Sequence, residues 1–302
     1  MTGKKEYFGL SAGLVSISFA AIFIKLADAP PSVVSALRMI FSTILILPFA
    51  ILSKDLKKEV RILTSRDIAL LFFSGVLLSL HFLSWITSLS LTGVTSSIVF
   101  VSASPLFVAL YTVTALKEKI SRSFWVGLCI ATTGTLIMAG GNIFAGGNSW
   151  KGDLLAVAGA VSAAGYFLVG SRLRTRISLI TYIFPVYLTA AVILTLAVPI
   201  CGDKFTGLPF ISYSYCFLMA IVCQLAGHTV FNWALKRVKA AIVTLTILGE
   251  PIGTTILAYF ILEEIPATTE IAGGAFILGG ILAVLHKNPK IAASQKRIVD
   301  IS

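Results

Sequence analysis

Charged side chains are scarce in this chain: only 12% of its 302 residues are Asp, Glu, Lys or Arg, and 13 acidic residues face 24 basic ones. Ordinary soluble domains carry roughly 25% charge, so there are too few polar groups here to cover a water-soluble globule. Cysteine is equally sparse. Cys129, Cys201, Cys216 and Cys223 show no ligand-like spacing, which excludes a disulfide framework or a cysteine metal centre. The chain holds three histidines, and neither His81 nor His228 has a companion ligand at helical spacing, so no metal is expected. There is no nucleotide-binding motif, which argues against direct use of ATP, and no cofactor is implied. A net charge of +11 would suit a nucleic acid if it lay on one soluble face. It is scattered over many short links instead, so no nucleic-acid partner is expected and membrane lipid is the surface it meets.

What the chain does have is apolar length, with 57% of its residues hydrophobic. Ten runs near 20 residues fall at 7–27, 32–52, 67–88, 94–115, 122–141, 152–171, 178–200, 211–235, 241–261 and 269–286. Each is long enough to cross a bilayer as a helix. Lys4 and Lys5 before the first run resemble a signal peptide, but a second run follows at once and no polar domain comes after it; a retained span is expected. With the N-terminus inside, twenty Lys and Arg fall in cytoplasmic segments and only Lys151 and Lys204 in outer links. That bias predicts a multi-pass protein of the cell inner (plasma) membrane with both termini cytoplasmic.

The halves of the chain are related. A shift of 146 aligns Pro105 with Pro251, Glu118 with Glu264, Gly127 with Gly273 and Gly134 with Gly280. Each repeat would hold five spans, and an odd number turns the second repeat upside down relative to the first. The expected fold is therefore all-α and polytopic, ten transmembrane helices in two inverted five-helix repeats. The expected division is 1–146 and 147–288, with a cytoplasmic tail at 289–302.

Arg38 in the second span, the Pro105-to-Lys119 segment, and Leu248–Pro251 followed by Glu263 and Glu264 together resemble the EamA-type transporters of the drug/metabolite transporter superfamily. The likeness covers essentially the whole chain, in two copies. It implies a ten-helix carrier of small metabolites, with exporters of amino acids and related compounds among its kin. The chain departs from the family pattern at Lys117 and Glu263, where a glycine commonly precedes the family glutamate.

Ionisable groups are costly within lipid and tend to face protein or a watery cavity. Glu250 stands beside Pro251, and proline frees a backbone carbonyl one turn earlier. Burial disfavours a charged carboxylate, so proton coupling and plain helix packing are both open to it. Arg38 could meet an anionic substrate group, pair with Glu250, reach Asp28 or snorkel to the interface. Lys25 is expected to snorkel beside Asp28. His81 lies four residues before Trp85, and His228 four before Asn232, which is followed by Trp233. Each i,i+4 pair shares a helix face that could hold polar or aromatic cargo, or simply bond between helices. Ser102 with Ser104, and Thr244 with Thr246, could line a polar route or satisfy their own backbones. Gly9 with Gly13, and Ala275 with Gly279, suggest close helix contact, and the glycines at 140, 141, 146 and 147 a flexible outer link.

An intramembrane enzyme would need convergent nucleophile, base or metal groups, and no spacing demands them. A channel would need a uniformly lined pore, and none is visible. A carrier accounts for the repeat, the paired prolines and the few central polar groups together. The reading is a secondary transporter of a small polar metabolite, an amino acid or related compound, working by alternating access; export is favoured over import, but direction and the choice between proton coupling and uncoupled facilitation are left open. Arg38, His81, Trp85, His228, Asn232, Trp233 and Glu250 are the expected substrate-binding residues. Pro105 and Pro251 are the expected gates, and a monomer or weak dimer the expected assembly.

Overall fold

A computed structural model of the chain describes residues 4–92, 94–143 and 150–287. The predicted tail at 289–302 and the glycines at 146 and 147 lie outside the described residues. Ten helices among the described residues are long and apolar enough to cross a membrane. Spans 1–5 are Lys5–Ala27, Pro31–Leu52, Ser65–Leu91, Ser96–Thr114 and Arg122–Gly140. Spans 6–10 are Trp150–Leu173, Leu179–Ile200, Phe210–Ala234, Ala240–Leu262 and Thr268–Leu285. Every expected run is present, shifted by a few residues at its ends.

The distribution of side chains is that of a multi-pass membrane protein. Phe49, Ile200 and Phe260 stand exposed on the outside, while Arg38, Gln224 and Asn232 are fully buried. Short links carry the caps. Thr64 opens span 3 with a capping box: its hydroxyl accepts from the Asp67 amide, and the Asp67 carboxylate accepts from the Thr64 amide at 3.1 Å. Pro31 and Pro209 stand at the openings of spans 2 and 8, where a missing N–H costs no helix bond.

Packing follows the duplication. Span 3 lies on span 6 and span 8 on span 1; span 2 lies on span 7, span 4 on span 9, and span 5 on span 10. Exchanging the repeats swaps the first two pairs and returns each of the others to itself, which is two-fold behaviour. The crossing of spans 5 and 10 shows it atom by atom. A Cβ added at Gly127 would meet the Gly280 carbonyl at 2.5 Å, and one at Gly134 the Gly273 carbonyl at 2.5 Å. Gly127 aligns with Gly273 and Gly134 with Gly280, so each residue touches the counterpart of its mate, as a two-fold requires. The helices run antiparallel there, backbone against backbone. These are two inverted five-helix repeats. Gly279, by contrast, has nothing within 4 Å, so the expected Ala275–Gly279 contact does not form at that glycine. Gly9 and Gly13 make room for the rings of Trp233 and Phe231.

Spans 4 and 9 are broken midway. The first divides into Val94–Val101 and Ser104–Thr114, the second into Ala240–Ile247 and Glu250–Leu262. Pro105 and Pro251 stand in the first turn of each trailing half, so the break falls where proline cannot accept a continuing helix. The trailing halves are followed by Lys117 and Glu263, at φ +54° and +57°. Those are the positions where glycine is usual in the resembling family, and the left-handed backbone explains why. Span 8 has its own irregularity: Met219–His228 is wound as a π-helix, whereas span 3 is unbroken α-helix over Ser65–Leu91.

On the face where the chain begins, the broken spans close on each other through Ser104–Thr114 and Ala240–Ile247. Lys239 pairs with Glu118 there at 3.1 Å, and Arg237 with Glu6 at 3.6 Å. Toward the opposite face, Ile98, Val99, Thr254 and Ala258 line a cavity of about 450 Å³. Lys25 pairs with Glu264 at that end. This replaces the expected Lys25–Asp28 neighbourhood, because Glu264 is brought to it by the turn at Glu263.

Candidate functional site

Between the repeats lies a small chamber of about 30 Å³ whose wall includes Arg38, His81, Trp85, His228 and Glu250. A volume of that size holds a water or two. Spans 1 and 6 also contribute, through Ile17, Ala20, Ala163 and Phe167, beyond the spans the sequence singled out. The breaks in spans 4 and 9 place Ser102, Ser104 and Glu250 on the wall, since a half-helix that stops mid-membrane turns its end residues inward.

Arg38 is completely buried, which excludes snorkelling. Its Nε donates to Gln224 Oε1 at 3.1 Å, and its guanidinium carbon sits 4.0 Å from the centre of the Phe82 ring. Nη1 and Nη2 have no hydrogen-bond partner. The described ion pairs are Lys25–Glu264, Arg176–Asp67, Arg237–Glu6 and Lys239–Glu118, so Arg38 and Glu250 share the chamber without pairing. A charged, donor-rich group is held ready with its donors unused.

The two histidines meet. Their ring centres are 6.1 Å apart, with Phe82 5.3 Å from His228 and Phe167 stacked on His228 at 6.3 Å. His81 Nδ1 donates to the Gly159 carbonyl at 3.0 Å, since a carbonyl can only accept. His81 also stacks on Trp85 at 5.9 Å, on the shared face that the i,i+4 spacing predicts. Trp85 Nε1, Ser102 Oγ and His228 Nδ1 are buried without partners, like the Arg38 fork. Buried polar atoms are nearly always bonded. Such a concentration of unused groups around one cavity leaves hydrogen-bonding capacity that a polar occupant can take up. Among the described residues no three His, Cys, Asp or Glu side chains gather as metal ligands would.

Asn232 and Trp233 are not among the chamber's lining residues. Asn232 Nδ2 donates to the Tyr166 hydroxyl and, at 2.7 Å, to the His228 carbonyl, tying spans 6 and 8 together. Trp233 packs against Gly9 of span 1. Pro251 lines the larger outer cavity while its neighbour Glu250 lines the chamber, so the first turn of Glu250–Leu262 separates the two spaces. Thr244 and Thr246 bond back to the Ala240 and Ile242 carbonyls, leaving the fourth span's serines as the hydroxyls of the chamber. Gln224 and Phe167 were not anticipated. A lone Gln inside an apolar span was the available signal for the first; Phe167 gave none, since an aromatic in a span is ordinary.

The family described as "EamA-like transporter family" matches residues 4–140 and again 150–286. The uncharacterized inner membrane transporter YedA of Escherichia coli (strain K12) is 26% identical over 278 residues, covering 89% of this chain and 87% of that protein. The S-adenosylmethionine uptake transporter of Rickettsia bellii is 25% identical over 268 residues, covering 87% of this chain and 86% of the other. A solved crystal structure superposes with a TM-score of 0.77 at 16% identity, over 96% of this chain and 99% of its own, a likeness of fold.

Proposed function

Because the chain belongs to the EamA-like transporter family, whose business is secondary transport of small solutes, we propose that it carries small zwitterionic metabolites, amino acids or related compounds, by alternating access. The observation that carries this is the chamber between inverted repeats, where unpartnered Arg38 donors and the Glu250 carboxylate share one wall without pairing. Arg38 takes the anionic group and Glu250 the cationic one, while His81, Trp85 and His228 give ring faces and further polar atoms to the remainder. S-adenosylmethionine, named as cargo of the Rickettsia relative, is itself an amino-acid derivative, which supports this class. Pro105 and Pro251 let the half-helices of spans 4 and 9 tilt, opening the chamber to one face at a time.

The basic links put both termini in the cytoplasm of a cell whose inner membrane holds the protein. Repeats at 1–146 and 147–288 form the moving bodies, and one chain suffices for the cycle. Export is the working direction, with Glu250 carrying a coupling proton. Purified protein in lipid vesicles, offered labelled amino acids, tests the main claim. Exchange across the bilayer is expected; steady single-channel currents with no exchange would overturn it. For the coupling role, an imposed pH gradient should drive uphill flux in the native protein and not in E250Q. Equal uphill flux in both would remove Glu250 from that role, and downhill flux alone in the native protein would make it a facilitator.

A further inference from the structure

Among the described residues Gln224 is the side chain hydrogen-bonded to the Arg38 guanidinium edge, and its backbone is held in place by its surroundings. It lies within the π-wound stretch of span 8, completely buried. Its backbone carbonyl accepts from the Thr229 hydroxyl at 3.1 Å and from the Thr229 amide, five residues on. The same hydroxyl meets Tyr187 OH of span 7 at 2.9 Å. The backbone at Gln224 is therefore held from two helices, and the side chain is bonded through Oε1 to Arg38 while its Nε2 makes no hydrogen bond. Single π-turns recur at functional positions because they re-aim a side chain that an α-helix would send elsewhere. The first repeat has nothing equivalent, since a shift of 146 or 147 lands on Leu78 or Leu77.

A guanidinium offers five donors in one plane and can grip a carboxylate side-on, through Nε and one Nη, or end-on, through both Nη atoms. Gln224 occupies Nε at 3.1 Å, and Phe82 covers one face of the plane. What is left is the end-on fork, and both its nitrogens are buried and unpartnered. A Glu at this position would orient the fork equally well but would form a salt bridge and cancel its charge. An amide oxygen orients without neutralising, so the whole charge stays available to an incoming oxyanion. A phosphate would bring a second negative charge against Glu250 on the same wall; a carboxylate does not.

We propose that Gln224 is the positioning residue that turns Arg38 into an end-on carboxylate receptor, and thereby sets the preference for a solute with a free carboxylate over the same solute as its amide. This rests on the carrier reading above and names the group recognised at that site.

The probes are the twenty common L-amino acids and their carboxamides, offered in exchange to the full chain in vesicles. Native protein should half-saturate with at least one acid at a concentration about tenfold below that of its amide. In Gln224→Glu the acid should weaken about tenfold while the amide is unchanged, bringing the ratio near one. Gln224→Leu, the residue type in the other repeat, should lower the ratio part of the way, and it serves as the main variant if Gln224→Glu does not fold. A packing role for Gln224 predicts acid and amide weakened by the same factor with the ratio intact, and that result would overturn the proposal. Native protein that exchanges amides as readily as acids would overturn it too, while leaving the carrier standing. No exchange of any probe would remove the carrier reading and this inference together.

Discussion

The crossing of spans 5 and 10 and the chamber come from the same duplicated chain, yet one keeps the duplication's symmetry and the other largely abandons it among its polar groups. At the crossing, Gly127 meets Gly280 and Gly134 meets Gly273, so the halves supply identical parts. At the chamber the apolar wall still matches, Ile17 with Ala163 and Val101 with Ile247, and His81 meets His228, but the other polar groups do not correspond. Arg38 stands in span 2 without an arginine in span 7, Glu250 corresponds to Ser104, and Gln224 to a leucine. The difference follows from what each region contacts. Under the alternating access proposed above, two halves that exchange shapes benefit from like surfaces, because each then fits the other in either arrangement. The zwitterionic cargo proposed above, with a carboxylate at one end and an amine at the other, has no two-fold axis, so residues gripping it would have none either.

Removing the asymmetric cation should produce the largest effect. R38A takes away the fork and strands the Gln224 amide in a dry interior. Exchange of carboxylate-bearing solutes in vesicles should fall about a hundredfold, which corresponds to roughly 2.8 kcal/mol. R38K, a point charge without a planar fork, should recover only part of it. Unaltered initial rates in R38A would mean that the chamber's asymmetry serves packing and not cargo.

The symmetric region should respond symmetrically. A methyl at position 134 or 280 would meet backbone atoms of the facing span, which cannot rotate away as a side-chain tip would. G134A and G280A should each destabilise by about 1–3 kcal/mol, the usual cost of overpacking, and by similar amounts. G279A, with open space around it, should be neutral or gain up to about 1 kcal/mol from helix propensity. Melting in detergent distinguishes them. Unequal losses at 134 and 280 would count against a true two-fold crossing.

A subtler test lies at the ends of the broken spans. Lys117 and Glu263 occupy equivalent left-handed positions, at φ +54° and +57°, which L-residues with a Cβ resist by roughly 1 kcal/mol or more. K117G and E263G should therefore each raise stability by about 1 kcal/mol, the former without disturbing Glu118–Lys239. If the two changes differ in sign, the repeats differ here more than their dihedrals suggest.

The architecture was readable because it rests on long-range regularities: apolar length, basic links and a 146-residue shift need no knowledge of contacts. The chamber was only partly readable. Arg38, His81, His228 and Glu250 stood out because ionisable groups within apolar spans are costly and few, and Trp85 because it lies four residues after His81. Asn232 stood out by its i,i+4 spacing from His228 and Trp233 as the residue after it, yet they face Tyr166 and Gly9 instead of the chamber. The facing of span 8 depends on its π-winding, and helical periodicity counted in steps of 3.6 cannot anticipate that. Gln224 went unnoticed for a related cause: its partner Arg38 lies 186 residues away.

The smallest effect concerns the clamp between the polar link after span 2 and the start of span 7, a region the repeats do not share. The Glu59 carboxylate accepts from the Ser178 amide at 2.9 and 3.1 Å, on the face where the chain begins. Partial burial pushes its pKa upward, but hydrogen bonds from Thr181 and Ser178 and the nearby Arg174 outweigh this and hold it below the ordinary 4.5. Burial likewise draws the Arg174 guanidinium down to about 10, still charged at neutral pH. A depressed carboxylate stabilises the fold at every pH above its unfolded value, and that contribution is lost as pH falls through the folded value. The melting difference between native protein and E59Q should thus be constant from neutrality down to about pH 5 and shrink below 4.5. A difference undiminished from neutrality down through acid pH would show the clamp to be one of shape, with no contribution from the charge.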